Sequence, residues 1–170
     1  MKYFLLLFFV TATVSANAQH EILPTSEFII TGIVKNKLKV RITDLAAFKQ
    51  DSLDDVIIRN KRGEQKGIAT GLRGVLLKNI LDSAGIQVDK PKEFSEIVIV
   101  LTASDGYKNV YSWSEIYNTD IGNHVYIICE KDGQKADRIK DRILVLSLAD
   151  TNSGNRHLKC LSKIEVKKVR

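Results

Sequence analysis

The sequence predicts a single domain of the α+β class. Many short β-branched segments separated by turn residues indicate strands, whereas few segments have helical spacing. Strands and helices do not alternate regularly, so a parallel sheet of βαβ units is not expected. The strongest strand signal is the apolar run over residues 97–101, which is typical of a central strand covered on both faces. Asp105-Gly106 then favours a tight turn, so we expect a hairpin at this point.

The N-terminal half is predicted to form short strands and one short helix. Strands are predicted over residues 28–34, 37–42 and 54–59. The first contains Gly32, which marks a bulge or a close backbone approach, and the second has the basic and apolar alternation of an edge strand. Thr43 is suited to cap a short helix through Phe48. The polar, glycine-containing segment 60–74 predicts a loop or a loose hairpin.

Helical spacing is clearest over residues 75–84, where apolar side chains recur every three or four positions. Gly85 stands where a C-terminal cap is expected. Ser112 and Glu115 have the spacing of a capping box, which predicts a second short helix through Tyr117. Further strands are predicted over residues 124–129, 142–148 and 157–166.

Aromatic residues follow the turn at Asp105-Gly106. If this segment is a strand, Tyr107, Asn109, Tyr111 and Trp113 lie on one side of it. One interpretation is that the rings complete the core, because aromatic side chains bury a large apolar area. The other is that they form a shelf beside a ligand pocket.

The first 18 residues are predicted to be an export signal. A single lysine precedes an apolar run over residues 3–10, which is too short to span a bilayer comfortably. Ala16-Asn17-Ala18 has the small-x-small form of a cleavage site. We therefore expect an extension over residues 19–27 and one domain over residues 28–170, in the periplasm or secreted. No transmembrane segment is expected after cleavage.

The charge balance is moderately basic, with 26 Lys and Arg against 20 Asp and Glu and a net charge of +6. Such an excess promotes mild attraction to anions. The basic residues are spread out and no recognition motif accompanies them, so nucleic-acid binding is not expected.

The two cysteines, Cys129 and Cys160, leave two alternatives open. In an oxidising compartment they can form a disulfide, but a free cysteine often acts as a small buried hydrophobic residue. With His124 and His157 they also supply an acceptable ligand set for zinc. However, each histidine and its nearby cysteine are an odd number of positions apart on a predicted strand, so they face opposite ways. We therefore predict no metal site.

One segment concentrates positive charge. Five basic residues lie around the predicted loop at residues 60–74, opposed locally only by Glu64; they are Arg59, Lys61, Arg62, Lys66 and Arg73. Fixed positive charge beside exposed backbone amides can bind phosphate or another anion. The alternative is a solvated face or an edge strand protected by lysine.

Several motifs occur in a specific order along the chain. They are Thr43-Asp44-Leu45, Arg73-Gly74-Val75-Leu76-Leu77, Ala103-Ser104-Asp105-Gly106-Tyr107, Asp141-Arg142-Ile143 and Ile164-Glu165-Val166. In this order they resemble the molybdopterin-binding domain of the sulfite-oxidase-like oxidoreductases, over nearly all of the chain after the export signal. The resemblance implies an α+β fold of mixed short strands with peripheral short helices.

The chain also departs from that family. Its catalytic members hold molybdenum through a cysteine just after the strand that here ends at Arg59, and this chain has Asn60-Lys61-Arg62 in that region. An amide does not replace a thiolate at a soft metal centre. The family also usually has tryptophan where Arg73 stands and proline where Asp141 stands.

We therefore expect an exported domain that kept the fold, lost the molybdenum and binds a small anionic molecule or an envelope protein partner. The predicted site residues are Asn60, Arg62, Arg73, Asp105 and Tyr107, in a pocket between the basic loop and the turn at Asp105. No cofactor is expected, and molybdopterin is the candidate that the resemblance implies. The alternative is an active molybdopterin-dependent oxidoreductase, or a subunit of one, whose basic loop holds the pterin phosphate.

Overall fold

In the computed structural model, β-strands dominate and helices are few and short. The structure describes residues 22–169, so the predicted export signal over residues 1–18 lies outside the described residues. Residues 22–26 lead into the first strand without regular structure. No helix within the described range is long and apolar enough to cross a membrane.

The elements follow one another in chain order. The strands are β1 (Glu27–Gly32), β2 (Leu38–Arg41), β3 (Asp51–Leu53), β4 (Val56–Arg59), β5 (Gln65–Ala69), β6 (Leu72–Leu76), β7 (Ile97–Ala103), β8 (Lys108–Ser112), β9 (Val125–Lys131), β10 (Gln134–Lys135), β11 (Leu144–Ser147) and β12 (Leu161–Lys168). The α-helices are α1 (Leu77–Ala84) and α2 (Trp113–Tyr117). Short 3-10 helices cover Ile42–Ala47, Pro91–Glu96, Asp120–Asn123 and Ser153–Arg156.

The strands form two sheets and a separate hairpin. The first sheet has the order β2-β1-β12-β7-β8, in which only the β1–β12 pair is parallel. The second sheet has the order β10-β9-β6-β3, and β11 also pairs with β9. Strands β4 and β5 form the antiparallel hairpin. These mixed sheets with few helices agree with the predicted α+β class.

Two apolar clusters hold these layers together. The larger cluster joins the inner face of the first sheet to α1 and to the second sheet, with Ile99, Ile164 and Ile80 each fully buried. The smaller cluster lies at the second sheet, and Val56 and Ile58 of the hairpin pack against it. The hairpin is therefore fixed to the body of the fold through one face.

Three local predictions, for Gly32, for strand β2 and for the end of helix α1, are confirmed. A β-carbon on Gly32 would lie 2.0 Å from the carbonyl oxygen of Val166, and Gly32 has a φ of +94°. Gly32 therefore marks a close approach between β1 and β12. Strand β2 lies at the edge of the first sheet, as the alternation over residues 37–42 predicted. Gly85 ends α1, and its N–H donates to the carbonyl of Leu81.

Strand β7 differs from the prediction. Alternate residues from Ile97 to Ala103 are buried, and the residues between them are only half-buried, so the strand is fully covered on one face alone. Strand β12, not β7, occupies the centre of the first sheet. An unbroken apolar run therefore did not distinguish a central strand from its neighbour.

Three local predictions need correction. Helix α1 begins at Leu77, because Val75 and Leu76 complete β6 by pairing with β9. Segment 60–74 forms the predicted hairpin alternative, since β5 pairs with β4, but it also contains the start of β6. The turn after β2 is a 3-10 helix, and Asp44 caps it by accepting from the backbone N–H of Arg41 at 2.9 Å, a role predicted for Thr43.

Candidate functional site

The tip of the β4–β5 hairpin is a turn built around Asn60. Its side-chain oxygen accepts from the backbone N–H groups of Arg62 at 2.9 Å and Glu64 at 3.0 Å. Its side-chain nitrogen donates to the Glu64 carboxylate at 2.8 Å. Asparagine is favoured in turns because its side chain can satisfy nearby backbone groups in this way. Both polar atoms of the Asn60 side chain are thus engaged within the turn.

A second segment, Ser153–Arg156, packs against β4; we call it the wall. The Ser153 hydroxyl donates to the carbonyl of Ile57 at 2.9 Å, and the backbone N–H of Arg59 approaches the same hydroxyl at 3.4 Å. A β-carbon on Gly154 would lie 2.5 Å from the carbonyl oxygen of Arg59. Only glycine permits this distance, so the wall and the hairpin are held backbone to backbone.

Between the hairpin tip and the wall lies a cavity of about 540 Å³, which we call the tip pocket. Its lining residues are Ile58, Asn60, Lys61, Arg62, Lys66, Gly154, Asn155, His157 and Lys159.

Four of the lining side chains are cationic, and they differ in their partners. Lys66 pairs with Glu64 at 2.9 Å and Lys159 with Asp141 at 3.0 Å. Within residues 22–169, Lys61 and Arg62 form no ion pair. Because two cations at the pocket remain uncompensated, the tip pocket favours an anionic ligand.

His157 adds a neutral hydrogen-bonding group to the pocket. Its Nε2 atom is buried and has no hydrogen-bond partner among the described residues. Burial, followed by the charge of Lys159, lowers the pKa of His157 to about 4. The imidazole is therefore uncharged near pH 7.

The far side of the wall is anchored by Arg156. Its guanidinium bonds to the carboxylates of Glu115 at 3.1 Å and Asp150 at 3.4 Å. The side-chain amide of Asn109 donates to the carbonyl of Arg156 at 2.9 Å. These contacts join the wall to β8 and α2.

Two of the predicted site residues, Asn60 and Arg62, line the tip pocket. Tyr107 lies next to it, because its hydroxyl donates to the carbonyl of Asn155 at 2.5 Å. Asp105 forms the predicted turn and accepts from the backbone N–H of Tyr107 at 2.9 Å. Of the aromatic side chains, Tyr111 is fully buried in the core, whereas Tyr107 is 46% exposed beside the wall.

Arg73 lies elsewhere. It is exposed on β6, opposite Ser52 and Glu130, and lines a separate cavity of about 430 Å³ with Cys129. The structure therefore does not form the expected common pocket of Asn60 and Arg73. The reason is that Arg73 belongs to the second sheet, not to the hairpin tip.

The cysteines are not joined. Both are free thiols; that of Cys160 donates to the carbonyl of Asp141 at 3.3 Å, and burial raises the pKa of Cys129 to about 11. Within residues 22–169, the His, Cys, Asp and Glu side chains form no group of three or more with a metal-binding arrangement.

Sequence reasoning missed Asn155, His157 and Lys159 as pocket residues. Residues 157–160 were assigned to the last strand, but β12 begins at Leu161, after Cys160 with a φ of +52°. The available signal was the turn sequence Ser153-Gly154-Asn155, which is followed within four residues by Arg156, His157 and Lys159.

The fold is similar to that of a solved protein, the sulfane dehydrogenase SoxCD from Paracoccus pantotrophus, with a TM-score of 0.63. The two chains are 14% identical, and the likeness covers 84% of this chain and 39% of that chain. This chain therefore spans well under half the length of that relative. No protein-family model matches the sequence. No curated protein matches it either. The likeness shows a related fold.

Proposed function

We propose that this protein is an exported binding module for a small anionic ligand, built on a sulfite-oxidase-like molybdopterin-binding fold that no longer holds molybdenum. The observation that carries the proposal is the tip pocket, in which Lys61, Arg62, Lys66 and Lys159 converge beside a turn made by Asn60. The domain is proposed to comprise residues 28–170 and to act after removal of residues 1–18, in the periplasm or outside the cell.

The residues at this position do not fit a molybdenum centre. Asn60 stands where the family is expected to place its cysteine, and its amide is already engaged by Arg62 and Glu64. Neither cysteine lines the tip pocket: Cys129 lies in the other cavity, and the Cys160 thiol is bonded to Asp141. Soft metal centres of this kind require a thiolate.

The same residues fit an anion. Lys61 and Arg62 supply charge that no acidic side chain of the described residues neutralises, and arginine binds phosphate oxygens in a two-pronged arrangement. The uncharged His157 lines the pocket without adding further charge. The pocket thus combines unneutralised positive charge with a neutral imidazole.

Titration calorimetry with pyrophosphate tests the proposal. The double variant Lys61→Ala/Arg62→Ala is expected to bind about tenfold more weakly or worse, since each lost charge-assisted contact contributes on the order of 1 kcal/mol or more. Lys90→Ala, an exposed lysine outside the pocket, is the matched control and should bind like the wild type. The proposal is wrong if pyrophosphate does not bind the wild type. It is also wrong if pyrophosphate binds the double variant as tightly as it binds Lys90→Ala.

Metal analysis tests the alternative of an active molybdopterin-dependent oxidoreductase. The protein is purified from a host that makes the cofactor, and molybdenum per protein chain is measured. We expect no stoichiometric molybdenum, because the tip pocket has no thiol among its lining residues. One molybdenum atom per chain, together with substrate turnover, would reverse the proposal.

A further inference from the structure

A second cavity adjoins the tip pocket. It measures about 570 Å³, and Lys159 lines both cavities. Lys131 and Lys140 also line this second cavity, and Ile22 and Pro24 of the N-terminal segment contribute an apolar side. Lys159 is thus common to the two cavities, and two further lysines line the second one.

The acidic residues of the second cavity neutralise part of this charge. Lys131 pairs with Asp132 at 3.3 Å, and Lys159 pairs with Asp141 at 3.0 Å. Lys140 has no ion pair within residues 22–169 and is exposed. Together with the uncompensated Lys61 and Arg62, it gives each of the two cavities at least one unpaired cation.

We infer that the two cavities form one cationic groove that takes a linear phosphate polymer, with one end of the chain in the tip pocket and later phosphate groups passing Lys159 toward Lys140. The inference rests on the proposed anion binding and names its ligand class. A single small anion would need only the tip pocket. Unpaired cations in two cavities that share Lys159 instead match a ligand whose charges repeat along a chain.

The groove makes a prediction about chain length. Each further phosphate that reaches a lysine releases bound counterions and adds a contact without a new association step, so affinity rises with length until the groove is filled. Loss of a lysine outside the tip pocket should then weaken the binding of long ligands only. A surface that attracts anions through net charge alone would not discriminate in this way.

The test compares pyrophosphate with long-chain inorganic polyphosphate at one fixed salt concentration. Lys140→Ala is expected to weaken polyphosphate binding about threefold to tenfold and to leave pyrophosphate binding unchanged. It should also make the dependence of polyphosphate affinity on salt shallower. Lys90→Ala is the matched control and should change neither ligand.

The outcomes separate the groove from the pocket. If Lys140→Ala binds polyphosphate as Lys90→Ala does while pyrophosphate still binds, the groove is wrong and the tip pocket stands. If pyrophosphate does not bind the wild type, the proposed function itself fails. A parallel series uses poly(glycerol phosphate), a phosphodiester polymer, in place of inorganic polyphosphate. The polymer that resembles the natural ligand should bind the wild type more tightly, and its binding should be weakened by Lys140→Ala.

Discussion

The guanidinium of Arg156 lies 4.5 Å from the centre of the Tyr111 ring. Tyr111 is fully buried on β8, so a cation is packed directly onto the core at the edge of the first sheet. The same guanidinium bonds to Glu115 and Asp150. Asn155 and His157 flank Arg156 in the chain and line the tip pocket, so this cation fixes the segment that carries both pocket residues.

Arg156→Ala is expected to lower the free energy of unfolding by about 2–3 kcal/mol. It would leave the Glu115 and Asp150 carboxylates, both largely covered, without their cationic partner. Urea denaturation measures the change. Arg138→Ala removes an exposed arginine and should stay within about 0.5 kcal/mol of the wild type. Equal losses in the two variants would show that Arg156 is not a structural anchor.

The contact between the wall and the hairpin predicts that two glycine substitutions have different effects on stability. Gly154→Ala should destabilise the protein by about 2 kcal/mol or more and weaken pyrophosphate binding, since the new β-carbon would press on the Arg59 carbonyl 2.5 Å away. Gly67→Ala on the same hairpin meets no atom within 4 Å and should be nearly neutral. Thermal unfolding and calorimetry are measured on both variants. A well-tolerated Gly154→Ala would mean that the wall is free to move.

Features that depend on neighbouring residues were predictable from the sequence. Ser112 and Glu115 form the capping box of α2: the Ser112 hydroxyl accepts from Glu115 N–H at 3.0 Å, and the Glu115 carboxylate accepts from Ser112 N–H at 2.8 Å. Both partners lie within four residues, so spacing alone indicates the contact. The turn at Asp105 and the end of α1 at Gly85 were predictable for the same reason.

Features that depend on distant pairing were not predictable. Leu76 has helical spacing with Ile80, but pairing with Tyr126 places it in a strand. The tip pocket depends on the Ser153–Ile57 hydrogen bond, which joins residues 96 positions apart. Spacing carries no information about such a contact, so His157 and Lys159 were missed and Arg73 was grouped with the wrong pocket.

His157 predicts a pH dependence of stability. Burial and Lys159 lower its pKa from 6.5 to about 4, with Asp141 opposing and Lys131 adding to the effect. The folded state therefore holds the neutral imidazole, and its contribution is fully present above pH 6.5. As the pH falls from 6.5 to about 4, the unfolded state gains a proton that the folded state does not, at a cost of about 3 kcal/mol.

The free energy of unfolding is measured against pH for the wild type and for His157→Gln. The variant should lack this part of the fall between pH 6.5 and 4, because glutamine does not titrate. His124→Gln leaves His157 in place and should retain the fall that His157 causes. An NMR titration of the His157 ring protons gives the pKa directly, and a value near 6.5 would refute the explanation.

Substitution of Asn60 separates the effect of the turn on stability from the effect of the pocket's charge on binding. Asn60→Asp keeps the oxygen that accepts from the N–H groups of Arg62 and Glu64. It replaces the amide that donates to the Glu64 carboxylate with a second negative oxygen, so we expect a loss of about 1 kcal/mol in stability.

Because the same substitution puts negative charge among Lys61, Arg62 and Lys66, pyrophosphate should bind about tenfold more weakly to Asn60→Asp. Asn36→Asp makes the same change of net charge in the exposed turn between β1 and β2 and is the matched control. Its affinity should remain within about twofold of the wild type, since Asn36 does not line the tip pocket and salt screens exposed charges. If both variants weaken binding equally, net charge and not the tip pocket attracts the anion.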